Sequence, residues 1–356
     1  MSTTEEFNGW VGHDKSSVNG TMKWESFTPR PFTDSDVDIK ITHCGVCATD
    51  VHMLRSGWGA TLYPCVVGHE IVGTAVRVGA NVKHVKVGDR VGAGAQGDSC
   101  RKPDCAECAD GNENFCAGMI TTYGMEWPGT TERGYGGYAD FHRAVGNFTF
   151  KIPDGLDSVD AAPMLCAGIT VYSPLKRNGC GPGKRVGIVG VGGLGHFGLL
   201  WAKAMGAKKI VAISRSSTKK ADAEKMGATG FIATGEEKDW ETTYARTLDL
   251  IVSTVSSHDL PLSGYLSLLA PHGQFIQIGS PEDELPRFSA FHLMNKGAKL
   301  GGSCIGPPWE INEMLEFAAK NKIKGWTTTR LMEEANKVIV EQDDGKARYR
   351  YVLVNR

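Results

Sequence analysis

A glycine-rich segment between positions 190 and 195 constrains the fold of this chain more than any other feature. Its sequence, Gly-Val-Gly-Gly-Leu-Gly, fits the pattern G-x-G-x-x-G, follows the apolar run Arg185–Val189 and opens a helical pattern. In that setting the glycines permit a tight turn and a close approach of backbone to a pyrophosphate, which the helix N-terminus attracts. A glycine turn without a ligand is the alternative interpretation. The segment predicts a dinucleotide site that includes Gly190, Gly192, Gly193, Leu194 and Gly195.

The surrounding sequence has the texture of an α/β domain. Strand-like apolar runs after the glycine segment alternate with helical patterns, at Lys209–Ile213, Leu248–Val252 and Gly273–Ile278. Such alternation favours a doubly wound parallel sheet with right-handed crossovers. We assign this cofactor-binding domain to residues 160–302.

The first part of the chain has a different texture. Short β-like runs punctuated by glycine, such as Ile71–Val78 and Val87–Val91, favour a twisted β-barrel or sandwich. A last strand at Tyr349–Val354 is expected to return to this domain. The first domain is therefore predicted to be discontinuous, with residues 1–159 and 303–356.

Charge and composition limit the partners of the chain. Lys and Arg total 39 and Asp and Glu total 40, so no global field attracts nucleic acid or an anionic membrane. No secretory signal is visible at the N-terminus, and no apolar run approaches the length of a membrane span. We therefore expect a cytoplasmic protein, and in that reducing setting ten cysteines favour metal binding over disulfides.

The residues after the second strand of the α/β domain bear on cofactor choice. An NAD site normally carries Asp or Glu there, whereas this chain carries Ser214 and Arg215, followed by Lys219. A carboxylate would repel a 2′-phosphate, while arginine and lysine attract it and serine can donate to it. The pattern favours NADP(H), with a solvated basic loop as the alternative.

Four cysteines lie within seventeen residues, with the spacing C-x4-C-x2-C-x7-C. Four thiolates in one loop can surround a tetrahedral zinc completely, which predicts a structural metal site. Free cysteines and disulfides are the alternatives. The predicted ligands are Cys100, Cys105, Cys108 and Cys116.

A second, more scattered set of residues predicts an open zinc site. Two thiols and an imidazole, from Cys47, His69 and Cys166, would leave a fourth position for water or a substrate oxygen. Each of these residues alone has an ordinary structural explanation, since a single cysteine in an apolar segment usually belongs to the core. Their co-occurrence is what favours a catalytic metal.

Taken together, these motifs resemble the zinc-dependent medium-chain dehydrogenase/reductase superfamily, and within it the cinnamyl alcohol dehydrogenase group, especially its fungal NADP-dependent branch. The resemblance spans nearly the whole chain and rests on segments 45–47, 49–50, 68–73, 87–92, 165–174 and 190–195, and on the four-cysteine loop. It implies a GroES-like barrel joined to a Rossmann domain, two zinc ions per subunit and a homodimer.

The resemblance also implies roles for individual residues. Glu70 matches a carboxylate that can approach the metal, and Asp50 matches an acid that orients the zinc-bound imidazole. Thr49 and His52 match a proton relay, and Thr170 matches a residue beside the nicotinamide. Trp58 matches a position of the substrate pocket, with ordinary core packing as the alternative, and Ile305 is expected on weaker grounds to line the far side of that pocket.

The chain departs from the family pattern in two places. The four-cysteine loop has two additional residues between its first and second cysteines, which leaves the shape of the loop open, and Ala48 stands where many plant relatives carry histidine. The implied activity is that of an NADP(H)-dependent alcohol dehydrogenase or aldehyde reductase for aromatic, cinnamyl-type or medium-chain primary substrates. A reductase of a secondary-metabolite enal or iminium, and a non-enzymatic NADPH-binding protein, are the alternatives.

Overall fold

A computed structural model describes residues 6–356 of the chain. The chain divides into two units, of which the first comprises Met1–Ile169 and Gly306–Arg356 and the second comprises Thr170–Ile305. Among the described residues, no helix is long and apolar enough to cross a membrane.

The strands of the described residues are, in chain order, β1 Phe7–Val11, β2 Lys23–Phe27, β3 Asp36–Gly45, β4 Ile71–Val78, β5 Arg90–Ala93, β6 Gln96–Asp98, β7 Ile120–Thr121, β8 Phe141–Val145, β9 Thr149–Lys151, β10 Arg185–Val189, β11 Lys209–Ser214, β12 Gly230–Ala233, β13 Leu248–Ser253, β14 Leu269–Gln277, β15 Lys299–Gly302, β16 Thr327–Leu331 and β17 Arg350–Val354. The α-helices are α1 Ala48–Leu54, α2 Ala106–Ala109, α3 Ser158–Pro163, α4 Ile169–Arg177, α5 Gly195–Ala204, α6 Lys220–Met226, α7 Trp240–Thr243, α8 Leu262–Ser267, α9 Phe291–Met294, α10 Pro308–Asn321 and α11 Ala335–Asp343.

The first unit is built on a seven-stranded sheet. Its order is β16-β17-β3-β4-β5-β9, and β8 pairs with β3. All pairings are antiparallel except that of β16 with β17. The last strand, β17, returns to pair with β3, as the sequence predicts. Apolar side chains from β3 and β4, such as Ile39, Ile41 and Ile71, are fully or almost fully buried in the core of this unit.

The predicted strand at Val87–Val91 is wrong in its boundaries. Gly88 takes a left-handed backbone conformation (φ 91°), and the Asp89 N–H closes a turn on the Lys86 carbonyl at 3.0 Å. A residue in that conformation cannot continue a strand, so β5 begins only at Arg90.

The second unit contains a six-stranded sheet in the order β12-β11-β10-β13-β14-β15. Every pairing in it is parallel, which confirms the predicted doubly wound α/β fold. Chain order reverses between β10 and β13, and ligands in such sheets bind outside the carboxyl ends of the strands at this switch point. The glycine segment begins directly after β10, at this position in the sheet.

Candidate metal centres and cofactor site

The four residues of the open metal centre converge within the first unit. Cys47 directly precedes α1, and His69 and Glu70 directly precede β4. Cys166 lies in a π-helical turn, Met164–Gly168, between α3 and α4. One ligand atom from each of the four residues lies within 4.8 Å of the others, and all four residues are buried. The structure thus brings together residues that are separated by up to 119 positions in the chain.

The chemistry of this centre fits a zinc ion. Two thiols, an imidazole and a carboxylate are the zinc ligands found in proteins. His69 Nε2 lies 3.2 Å from Cys166 Sγ, so the ring nitrogen faces the thiols. The hydrogen bond between the thiols lowers the pKa of Cys47 well below its ordinary value, and the same bond together with burial raises the pKa of Cys166 well above it. A thiolate therefore forms readily at Cys47.

Glu70 is held beside the centre by a buried arginine. Its Oε1 accepts from Nη2 of Arg350, on β17, and from the Ala167 N–H at 3.3 Å. Its Oε2 is buried and has no hydrogen-bond partner among the described residues, which leaves one carboxylate oxygen for a metal. Burial raises the pKa of Glu70 to about 7, although the positive charge of Arg350 lowers it.

Asp50 lies behind the imidazole of His69 and is completely buried. Its Oδ1 accepts from the Gly68 N–H at 2.9 Å and from the Tyr123 hydroxyl at 2.5 Å, and it lies 3.2 Å from His69 Nδ1. Its Oδ2 accepts from the Cys47 N–H at 2.9 Å and the Tyr138 hydroxyl at 3.3 Å. A partner of this kind on Nδ1 fixes the ring so that Nε2 is left for the metal.

Three partners of the centre were missed by reasoning from the sequence. Tyr123, Tyr138 and Arg350 are buried and bond directly to Asp50 or Glu70. They lie 73, 88 and 280 positions away from those partners, so no local motif indicates them.

The residues of the predicted proton relay lie on α1. Thr49 is half-buried, and its Oγ1 lies 3.6 Å from Cys47 Sγ. His52 is half-buried, and its ring stacks on Trp58 with a centroid distance of 4.4 Å and an angle of 22°. Trp58 is 42% exposed, so the alternative of core packing does not apply to it. Ile305, in the second unit, is buried and has a left-handed backbone (φ 43°).

The four cysteines of the closed centre also converge, with their sulfur atoms within 4.8 Å of one another. Cys100 and Cys108 have sulfurs 3.7 Å apart, and those of Cys105 and Cys116 are 3.8 Å apart. Zinc–sulfur bonds of ~2.3 Å at tetrahedral angles hold sulfurs about 3.8 Å apart, so the site fits zinc. All four cysteines are free, whereas disulfide sulfurs would be separated by only ~2.0 Å.

The two additional residues of this loop are absorbed in a turn. Arg101 takes a left-handed conformation (φ 49°), and the Cys105 N–H bonds the Lys102 carbonyl at 3.1 Å. On the other side of the loop, Trp309 of α10 donates from Nε1 to the Gly111 carbonyl at 2.8 Å. The insertion therefore changes the loop but keeps its four sulfurs in one place.

The glycine segment forms a tight turn between β10 and α5. Gly190 is left-handed (φ 87°), and its N–H bonds the Ile213 carbonyl at 2.8 Å. A side chain on Gly195 would lie 1.7 Å from the Gly190 carbonyl oxygen, whereas one on Gly192 would meet nothing within 4 Å. Gly190 and Gly195 therefore serve the packing of the turn, and the open side at Gly192 lets a ligand approach the backbone.

The predicted phosphate readers follow β11. Ser214 is its last residue and is half-buried, Arg215 is exposed, and Lys219 donates from Nζ to the Val191 carbonyl of the glycine turn at 2.7 Å. Lys219 thus connects this loop to the glycine turn. Thr170, the remaining predicted cofactor residue, is buried in α4.

This fold and these two centres define a zinc-dependent dehydrogenase, and comparison with known proteins agrees. The profile of the family "Alcohol dehydrogenase GroES-like domain" matches residues 33–154, and that of "Zinc-binding dehydrogenase" matches residues 193–320. NADP-dependent alcohol dehydrogenase 6 of Saccharomyces cerevisiae is 42% identical over 99% of this chain and 98% of its own length.

Two solved structures are similar over the same extent. A cinnamyl alcohol dehydrogenase from Sorghum bicolor has a TM-score of 0.92 at 35% identity, covering 98% of each chain. A cinnamyl alcohol dehydrogenase from Helicobacter pylori, complexed with NADP(H), has a TM-score of 0.89 at 33% identity, also covering 98% of each chain. The chain therefore belongs to the zinc-dependent medium-chain dehydrogenase/reductase superfamily and is an oxidoreductase of the alcohol dehydrogenase type, which confirms the resemblance read from the sequence.

Proposed function

We propose that this protein is an NADP(H)-dependent alcohol dehydrogenase and aldehyde reductase acting on aromatic, cinnamyl-type or medium-chain primary alcohols and aldehydes. The observation that carries the proposal is the convergence of Cys47, His69 and Cys166 in a buried cluster, beside a Glu70 oxygen that has no hydrogen-bond partner among the described residues. Three such ligands leave a coordination position open, as catalytic zinc sites do.

The chain's own residues would divide the chemistry as follows. Zinc held by the two thiolates and the imidazole would act as a Lewis acid on the substrate oxygen. Asp50 holds the His69 ring, and the Oε2 of Glu70 offers an exchangeable ligand. Thr49 and then His52 would carry a proton between the substrate oxygen and solvent. The four cysteines would hold a second zinc that only shapes the loop, which makes two zinc ions per chain.

NADP(H) would supply or accept the hydride. The proposed 2′-phosphate site consists of Ser214, Arg215 and Lys219, and no acidic side chain ends β11. The yeast relative is named as NADP-dependent, and the H. pylori structure contains NADP(H). Thr170 is proposed to lie beside the nicotinamide. We propose that residues 160–302 bind the cofactor and that residues 1–159 and 303–356 form the catalytic domain.

The substrate assignment rests on Trp58, while Ile305 stays a pocket residue predicted from the sequence alone. The ring of Trp58 is stacked on His52 and is 42% exposed, so it offers a flat apolar surface beside the proposed relay. Such a surface suits a planar aromatic or extended aliphatic aldehyde.

A zinc, cofactor and substrate panel tests the proposal. We expect two zinc ions per purified chain, faster turnover with NADPH than with NADH, and reduction of cinnamaldehyde and hexanal. Cys47→Ser should lose one zinc and the activity together, while Cys180→Ser, at a half-buried cysteine outside both clusters, should keep both. A Cys47→Ser protein that reduces aldehydes at the normal rate would exclude the metal's role, and enals and iminium ions in the panel address the secondary-metabolite alternative.

We also propose a homodimer in the cytoplasm. The edge strand β15 pairs only on its β14 side among the described residues, and the nearby α9 exposes Phe291 (64%) and Met294 (70%). A second copy that covers this edge would bury both side chains. Light scattering of the wild type and of the double variant Phe291→Asp, Met294→Asp tests it, since the variant should be monomeric. The ten free cysteines support the cytoplasmic part of the proposal, because a reducing compartment keeps thiols free.

A further inference from the structure

The imidazole of His52 has a cationic neighbour. Arg55, one turn further along and just after α1, lies with Nη2 at 3.1 Å from His52 Nδ1. The same guanidinium donates from Nη1 to Oδ1 of Asp343, the last residue of α11, at 3.0 Å. Both Arg55 and His52 belong to the first unit and are half-buried.

This contact determines which nitrogen of the ring can carry the proton. A guanidinium has five N–H donors and no acceptor, and it stays protonated in proteins. A hydrogen bond between Arg55 Nη2 and His52 Nδ1 therefore requires that Nδ1 be the acceptor. The proton of the neutral ring must then reside on Nε2, and a second proton cannot enter at Nδ1 while Arg55 occupies it.

Two further contacts hold this arrangement. The carboxylate of Asp343 compensates the charge of Arg55 and anchors its far side, 3.0 Å from Nη1. Trp58 stacks on the imidazole of His52 with a centroid distance of 4.4 Å, which limits rotation of the His52 ring. The ring is thus restrained on its edge by Arg55 and on its face by Trp58.

We propose that Arg55 is a positioning residue that, anchored by Asp343, holds His52 as the neutral tautomer with its proton on Nε2. The kinetic consequence rests on the relay proposed above. In that relay a neutral ring can give its Nε2 proton toward Thr49 only as Nδ1 takes up a proton from water, since loss of Nε2–H alone would leave an imidazolate. Nδ1 is open to water only when Arg55 moves away. Arg55 therefore controls the step in which the relay exchanges a proton with water.

Nitrogen-15 NMR of histidine-labelled protein at neutral pH reads the tautomer directly, and His52→Asn identifies the His52 signals. In the wild type we expect the Nδ1 signal of an unprotonated nitrogen and the Nε2 signal of a protonated one. Arg55→Met should move both signals toward a mixture of tautomers. Asp343→Asn should produce a smaller change of the same sign, and Arg55→Lys should restore the wild-type signals because an ammonium group also only donates.

The control is Lys337→Met, which removes an exposed cation from the same helix as Asp343 and should leave the His52 signals unchanged. A wild-type ring protonated on Nδ1, or identical signals in the wild type and Arg55→Met, would overturn the proposal.

The kinetic test separates this proposal from that of the relay. Arg55→Met should raise kcat for aldehyde reduction by about threefold to tenfold with KM changed less than twofold, because Nδ1 can then take up a proton from water without Arg55 moving away, and a positioned acid contributes about 10²–10⁴-fold in all. Equal kcat values in Arg55→Met and Lys337→Met would contradict control of the relay by Arg55. If His52→Asn reduces aldehydes at the wild-type rate, the relay itself is wrong, while the NMR result still decides the tautomer.

Discussion

Replacing Asp50 with asparagine tests the support of the open metal centre most sharply. The carboxylate accepts hydrogen bonds on both oxygens, and the Cys47 N–H and Gly68 N–H lie on opposite sides of it, at 2.9 Å each. Asparagine is nearly the same size but has one oxygen and one NH2 group that only donates. No orientation of an asparagine can therefore accept on both sides.

The size of the effect follows from these contacts. With its oxygen toward Gly68 and His69, the substituted amide would point its NH2 group at the Cys47 N–H. In the reverse orientation, NH2 would face the Gly68 N–H and the His69 Nδ1–H. Either way one or two buried donors lose their acceptor, at about 1–3 kcal/mol each, and the remaining bonds lose the contribution of a charged acceptor. We expect the free energy of unfolding to fall by about 2–5 kcal/mol and zinc affinity to fall by about 10–100-fold.

The assay measures zinc release to a chelator from folded protein alongside unfolding by denaturant. Asp36→Asn is the matched control, because Asp36 is also buried and accepts from Arg30 at 2.6 and 2.7 Å and from the Thr33 N–H at 2.7 Å. Its substitution should destabilise the same unit while folded molecules keep zinc as firmly as the wild type. Zinc release from Asp50→Asn at the rate of Asp36→Asn would refute the reasoning.

Three further predictions concern other parts of the chain. Cys105→Ser should remove only the zinc of the four-cysteine loop and lower the unfolding temperature, which metal analysis and calorimetry would detect; two zinc ions in the variant would contradict it. Arg215→Asp should lower kcat/KM for NADPH by about tenfold to 100-fold, since a charge-assisted bond contributes about 1.5–3 kcal/mol, with little loss for NADH; Lys238→Ala, at an exposed lysine, is the control. Burial lowers the pKa of His142 to about 4, from 6.5. Because the unfolded chain binds that proton more readily, this contribution is complete above pH 6.5 and is lost as the pH falls toward 4, by about 3 kcal/mol in all. Denaturant unfolding at pH 7 and 4.5 should show a larger loss in the wild type than in His142→Asn, and equal losses would contradict it.

The α/β unit could be predicted from the sequence because its signals are local. The apolar run Arg185–Val189 and the glycines after it specify a strand, a turn and a helix within about twenty residues, and the structure has all three there. The strand predicted at Val87–Val91 failed for the opposite reason, since its valines suggested a strand while the left-handed Gly88 decides where it begins. Apolar periodicity indicates that a strand exists more reliably than where it starts.

The two clusters of potential metal ligands could be predicted from residue type, but the residues that support them could not. Cysteine and histidine in combination already indicate zinc, whichever way the chain folds around it. Arg350 is an ordinary residue at the start of an ordinary strand, and only the pairing of β17 with β3 brings it to Glu70. The two residues inserted into the four-cysteine loop show the same difference, because chelation fixes the positions of the sulfurs and leaves the backbone between Cys100 and Cys105 free to bulge.

Three histidines show why residue type alone cannot assign a chemical role. His69 presents Nδ1 to the carboxylate of Asp50, which accepts a hydrogen bond from it and so leaves Nε2 free to face a metal. His142 presents Nδ1 to the Tyr135 carbonyl, which also only accepts, and is buried as a neutral ring. His52 presents Nδ1 to Arg55, which only donates, so its proton is placed on the opposite nitrogen. The group that faces Nδ1 thus decides which ring nitrogen carries the proton, and that group is fixed only by the folded chain.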